Sequence, residues 1–153
     1  MPDHPALVTL NKRLMEPRRF MQILSGTCDK TKRSIAQQAI TAFAGKTHYA
    51  MAEDTEKLDA HWVVQQWDMA RELQKSTPSL LVLDNPEIIP RWSDAVKMLW
   101  DQDTFAPMDT KTNSDLQVPN YPLHVVLLCS PDFLIRPTIT ESMVGRFELI
   151  RCQ

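Results

Sequence analysis

The chain has 153 residues, 43% apolar and 24% charged, with a formal net charge of −2. That length and apolar content fit one ordinary soluble domain with a buried core. The charge balance gives no global electrostatic case for nucleic acid, and no apolar run approaches the roughly 20 residues of a membrane span. Cys28, Cys129 and Cys152 are widely spaced and odd in number. They suggest reduced thiols in a cytoplasm, not a disulfide frame or a zinc site. Met1 to Leu10 lack a basic-then-apolar signal pattern.

In chain order, Pro17 closes an N-terminal segment that carries Lys12, Arg13, Arg18 and Arg19. This is a basic patch, read as solvated unless a partner uses it. Phe20 to Ser25 reads as a buried strand. From Ser34 the pattern turns helical, with Ile35, Ala39 and Phe43 on one face, and Gly45 is the expected C-cap. His48 to Ala52 reads as a second strand. Asp59 is placed to cap a long helix carrying Val63, Trp67, Ala70 and Leu73. Leu80 to Leu83 is continuously apolar, the pattern of a strand buried on both faces of a parallel sheet. A further helix begins near Arg91 or Ser93, with Val96, Leu99 and Trp100 inward. The polar stretch 104–122, with Pro107, Pro119 and Pro122, reads as a loop insertion. Leu123 to Leu128 and Phe147 to Ile150 are the last two strands. Trp62, Trp67, Trp92 and Trp100 are expected in packing roles, and His48, His61 and His124 show no metal-ligand spacing.

Strands alternating with helices predict an α/β fold in three layers, with a five-stranded, mostly parallel sheet and helices on both faces. Ser25, Asp84 and Ser130 end or directly follow their strands. They are therefore expected to gather at the carboxyl end of the sheet, where such folds bind ligands. An apolar strand, then Gly26, Lys32 and a helix, has the layout of a phosphate-binding loop, and a later apolar strand ending in Asp84 has the layout of a magnesium-holding strand. Alone, a Gly and a Lys at this spacing have little specificity.

The ordered set of motifs resembles the prokaryotic AAA-type P-loop ATPases. In that family the loop reads roughly GPRQVGKTT, the magnesium strand LLVLDE followed by IPxW, and later stretches read VVLLGSSPLLI and TESLAGRFE. The matching pieces here are Glu16-Pro17-Arg18-Arg19-Phe20, Leu80-Leu81-Val82-Leu83-Asp84, Ile89-Pro90-Arg91-Trp92-Ser93, Val125-Val126-Leu127-Leu128 and Thr140-Glu141-Ser142-Met143-Val144-Gly145-Arg146-Phe147-Glu148. The resemblance covers nearly the whole chain and implies a P-loop NTPase-like fold as a single domain, residues 1–153, with 1–18 as an N-terminal segment. The family's downstream regions are absent from this sequence.

By that resemblance, Gly26 takes the place of the loop's first Gly, Lys32 that of the phosphate-binding Lys, and Asp84 that of the magnesium ligand. Ser130 matches a residue that senses the γ-phosphate, and Arg146 an Arg acting on a bound or neighbouring nucleotide. Three positions depart from the pattern. Thr31 replaces the second Gly, where a β-branched residue at positive φ is strained. Arg33 replaces the magnesium-binding hydroxyl, although Ser34 follows. Asn85 replaces the Glu that activates water. Hydrolysis needs positioning, metal and an oriented nucleophile together.

The resemblance thus implies an ATP-binding domain with weakened or lost hydrolysis, which leans against an enzyme. Its cofactors are ATP and Mg²⁺, each with anchoring residues altered. The alternatives are an ATPase using Ser34 as a shifted ligand, or a pseudo-ATPase that binds a protein partner without nucleotide. Because relatives continue past the last strand, its surface is expected to be bare and to invite self-association or a partner near Phe147 to Ile150.

Overall fold

The computed structural model describes residues 4–53, 57–105, 121–131 and 145–152. Helix α1 spans Pro5–Met15, strand β1 Met21–Ser25, helix α2 Asp29–Ala42, strand β2 Lys46–Met51 and helix α3 Ala60–Gln74. Strand β3 spans Ser79–Asp84 and leads through a 3₁₀ turn, Pro86–Ile88, to helix α4, Trp92–Phe105; β4 is Leu123–Cys129 and β5 Phe147–Arg151. The strands form one sheet in the order β2-β3-β4-β1-β5, and every pairing is parallel.

The continuous apolar runs have a simple cause. Successive strand residues point to opposite faces, and both faces are covered. Leu81 and Leu83 belong to the same cluster as Met21, Ile23, Val125 and Leu127, packed with α3 and α4. Leu80 and Val82 face the other way with Leu24, Val126 and Leu128, against α1 and α2. Each fully buried Leu of this kind contributes about 1.5–3 kcal/mol. The result is the expected three-layer α/β architecture. Trp67, Trp92 and Trp100 are buried in the α3–α4 layer, and Trp62 packs at its margin. Asp59 caps α3 as expected, its side chain accepting from the His61 N–H.

Three local readings change. The N-terminal segment contains a full helix, started by His4, whose Nδ1 accepts from the Ala6 N–H at 3.0 Å, and by Pro5 at the first position. Its Ala6, Leu7, Leu10 and Leu14 are buried against Ile150 and Cys152, and Arg13 reaches Glu148 of β5 at 2.8 Å. One face of the last strand is therefore covered by the chain's own N-terminal helix, while β5 remains the edge strand of the sheet. Gly45 is not the cap of α2; Phe43 is. Gly45 serves a close approach instead, since a Cβ there would stand 1.8 Å from the Pro78 carbonyl oxygen. Finally, the supposed loop 104–122 begins as helix, because α4 runs to Phe105; residues 106–120 lie outside the described residues, as do Thr140 to Val144 of the family motif.

Candidate functional site

The parallel register sets Ser25 beside Cys129 and Asp84 beside Leu128, so Gly26, Asn85 and Ser130 leave the sheet at one edge. The connection from β1 to α2 is only Gly26, Thr27 and Cys28, because α2 starts at Asp29. Lys32 is consequently in the first full turn of the helix, its amide donating to the Cys28 carbonyl at 3.1 Å. Helical side chains lean toward the N-terminus, which carries the Lys32 ammonium back to the sheet edge. There it donates to the Cys129 carbonyl at 3.0 Å and pairs with Asp29 at 3.1 Å, 3% exposed.

Thr31 lies inside α2. Among the described non-glycine residues only Asn85 and Arg91 have positive φ, so the strain expected at Thr31 does not arise. The chain enters α2 at Asp29, ahead of Thr31. Gly26 has a neighbour of its own: a Cβ there would lie 3.1 Å from Cys152 Sγ. Cys152 is held in place by its N–H and its thiol, both donating to the Ser25 carbonyl, at 2.9 and 3.1 Å. Cys28 is exposed, and hydrogen bonds from the Thr31 side chain and backbone lower its thiol pKa.

Asp84 is 3% exposed and carries a cation already. Arg33 Nε donates to its Oδ2 at 2.7 Å, and the Tyr49 hydroxyl donates to the same oxygen. The pairing with Asp84 raises the Arg33 pKa, while burial, followed by the Asp84 bond, holds the Tyr49 hydroxyl far above its ordinary range. Ser34 does not join them. It is exposed, and its hydroxyl accepts from Gln38 Nε2 at 3.2 Å.

The structure also adds a carboxylate that the sequence reading missed. Asn85 adopts the left-handed conformation, φ 62° and ψ 37°, and opens the Pro86–Ile88 turn. That turn aims Glu87 at Ser130, whose amide donates to Oε2 at 2.7 Å and whose hydroxyl donates at 3.2 Å. Burial raises the Glu87 pKa, opposed by the Ser130 bonds and by Lys32. The signal was an Asn-Pro turn with an acid directly after it. Tyr49 and Cys152 were missed as well, since neither lies in a motif.

Arg146 stands apart. It immediately precedes β5, and its carbonyl accepts from the N–H of Met21 at the start of β1, so it lies at the amino edge of the sheet. Its guanidinium forms a two-point bond to Asp101 of α4, at 2.8 and 3.0 Å. The length of β1, about 17 Å by strand geometry, separates it from the Lys32 edge of its own chain.

Magnesium bound with a nucleotide takes one or two carboxylates plus phosphate oxygens and demands octahedral room. Asp84 matches the family's magnesium carboxylate, and its Oδ2 is taken by Arg33 and Tyr49; a guanidinium against that oxygen does not fit the ion. Among the described residues no group of three or more His, Cys, Asp or Glu side chains converges. A phosphate would meet Lys32 with two partners already engaged, and Ser130 already bonded to Glu87. At this sheet edge Lys32 is paired with Asp29 and Arg33 with Asp84, and Glu87 is bonded by Ser130. No protein-family model matches the chain, and no curated protein matches it.

Proposed function

We propose that this chain is a domain related to AAA-type ATPases that no longer hydrolyses ATP and works as a pseudo-ATPase. The observation that carries the reading is the 2.7 Å contact between Arg33 and Asp84. The Arg33 guanidinium bonds the carboxylate that the resemblance assigns to magnesium, and a guanidinium cannot ligate phosphate and water as magnesium does. Asn85, next to it, cannot accept a proton from water. Two of the three requirements for phosphoryl transfer are thereby missing. Steady-state phosphate release is expected to equal that of a Lys32→Ala control, and release well above the control would overturn the reading.

A second reading is residual nucleotide binding without magnesium. It is favoured by the first turn of α2, where the Lys32 ammonium reaches the sheet edge beside the amino-terminal amides of the helix. Amides at a helix start suit a phosphate. A fluorescent ATP analogue titrated with and without magnesium separates the two: no saturable binding leaves the scaffold reading, and equal binding in both conditions supports the second.

A further inference from the structure

At the amino end of the sheet, opposite the Lys32 crevice, a cavity of about 520 Å³ opens between the C-terminal parts of α1 and α2. Its lining is mainly apolar, with Leu14 and Met15 from α1, and Ala39, Ala42 and Phe43 at the end of α2. His124 from β4 also lines it and meets the Phe43 ring edge-on, 5.9 Å between centroids. A smaller cavity of about 160 Å³ adjoins and shares His124, Glu16 and Pro17 with the first. Apart from Phe20, its remaining lining is polar: Arg13, Arg19, Gln22 and Glu148.

Two buried acceptors here have no donor. Asn11 lines the larger cavity and Gln22 the smaller; the Oδ1 of the first and Oε1 of the second lack a hydrogen-bond partner. Gln22 is 4% exposed, and its Nε2 is already committed to the Phe20 carbonyl at 2.9 Å. Buried amide oxygens without donors are rare in folded proteins and call for an explanation. The smaller cavity is lined by two guanidinium groups, Arg13 and Arg19, and two carboxylates, Glu16 and Glu148; Arg13 pairs with both carboxylates, and burial, followed by the charge of Arg18, disfavours a charged His124. An anion entering this site meets two carboxylates, and a cation meets guanidinium groups.

From the joined cavities we infer a small-molecule site that takes an uncharged amphipathic ligand, its apolar body between α1 and α2 and an N–H or O–H donor directed at Gln22. The larger volume lies within the range of sites for small organic ligands, and an apolar wall with a few orienting polar groups is their usual build. This site is separate from the Lys32 crevice and does not depend on the nucleotide reading.

The test uses the full chain and two matched probes. Benzamide carries the donor, and acetophenone has nearly the same shape with a methyl group in its place. Both are titrated while NMR follows the His124 ring and the Gln22 side-chain amide. Benzamide is expected to shift both saturably and to bind roughly fivefold or more tightly than acetophenone, the worth of one net hydrogen bond. Gln22→Leu should erase that preference. Ala42→Phe, a change at an exposed helix position that fills the cavity, should abolish binding of both, and it carries the test if Gln22→Leu does not fold. Equal binding of the two probes, shifts that persist in Ala42→Phe, or no saturable shift at either residue would overturn the inference.

Discussion

Ser130 anchors Glu87 at the carboxyl edge of the sheet, its N–H 2.7 Å from Oε2. Burial nevertheless raises the Glu87 pKa above its ordinary 4.5. The folded state then holds the Glu87 proton more tightly than the unfolded chain does. By linkage, this group's contribution to stability is fully present below 4.5 and is lost as pH rises through the folded value. Glu87→Gln removes the titration. The stability of the variant relative to the parent is expected to improve as pH climbs through that window. Urea midpoints taken across a pH series check it, and parallel curves for the two proteins would refute it.

The Arg33–Asp84 contact predicts strong coupling. Removing Arg33 leaves a nearly buried carboxylate that still accepts from Tyr49. Arg33→Ala is expected to cost about 1–3 kcal/mol, in the range for a buried polar group that loses its partner. In the background of Asp84→Asn the same change should cost much less, giving a coupling of roughly 0.5–3 kcal/mol. A double-mutant cycle by denaturant unfolding measures this, and additive effects would contradict a direct interaction between the two side chains.

Gly45 tests the packing at the other end of the sheet. A methyl group at this position would overlap the Pro78 carbonyl oxygen, and backbone cannot yield as a flexible side chain can. Gly45→Ala is expected to destabilise by about 1–3 kcal/mol, the usual cost of overpacking. The Lys46 N–H bond to the same carbonyl, 3.1 Å in the parent, should then exchange its hydrogen faster. A variant with unchanged stability and exchange would contradict the close approach.

Trp67 ties the α3–α4 layer together. It is fully buried, and its indole N–H donates to Asp103 of α4 at 2.6 Å, a carboxylate that Arg71 also holds. Trp67→Ala should cost about 3–5 kcal/mol through the lost volume. Trp67→Phe, which keeps most of the apolar area, should lose less and mainly through the orphaned Asp103 bond. Thermal melts of the two variants rank them, and equal losses would show that the hydrogen bond, not packing, dominates.

Local pattern was sufficient for much of this protein. Strand–helix alternation and the runs Leu80 to Leu83 and Leu123 to Leu128 specify a parallel α/β sheet covered on both faces, because apolar periodicity is a short-range property of the chain. The same order places Lys32, Asp84 and Ser130 at one sheet edge. Helix α1 was also legible, in the His4-Pro5 start and the spacing of Ala6, Leu7, Leu10 and Leu14, but its basic residues drew the reading toward a solvated segment. What the residues at the crevice do to one another was decided only in three dimensions. Arg33 closing on Asp84, Glu87 on Ser130, Cys152 on Gly26 and α1 on β5 all join positions far apart in sequence. Which side chain neutralises which depends on strand register and helix direction, and these are fixed by burial of the whole core rather than by any motif within it.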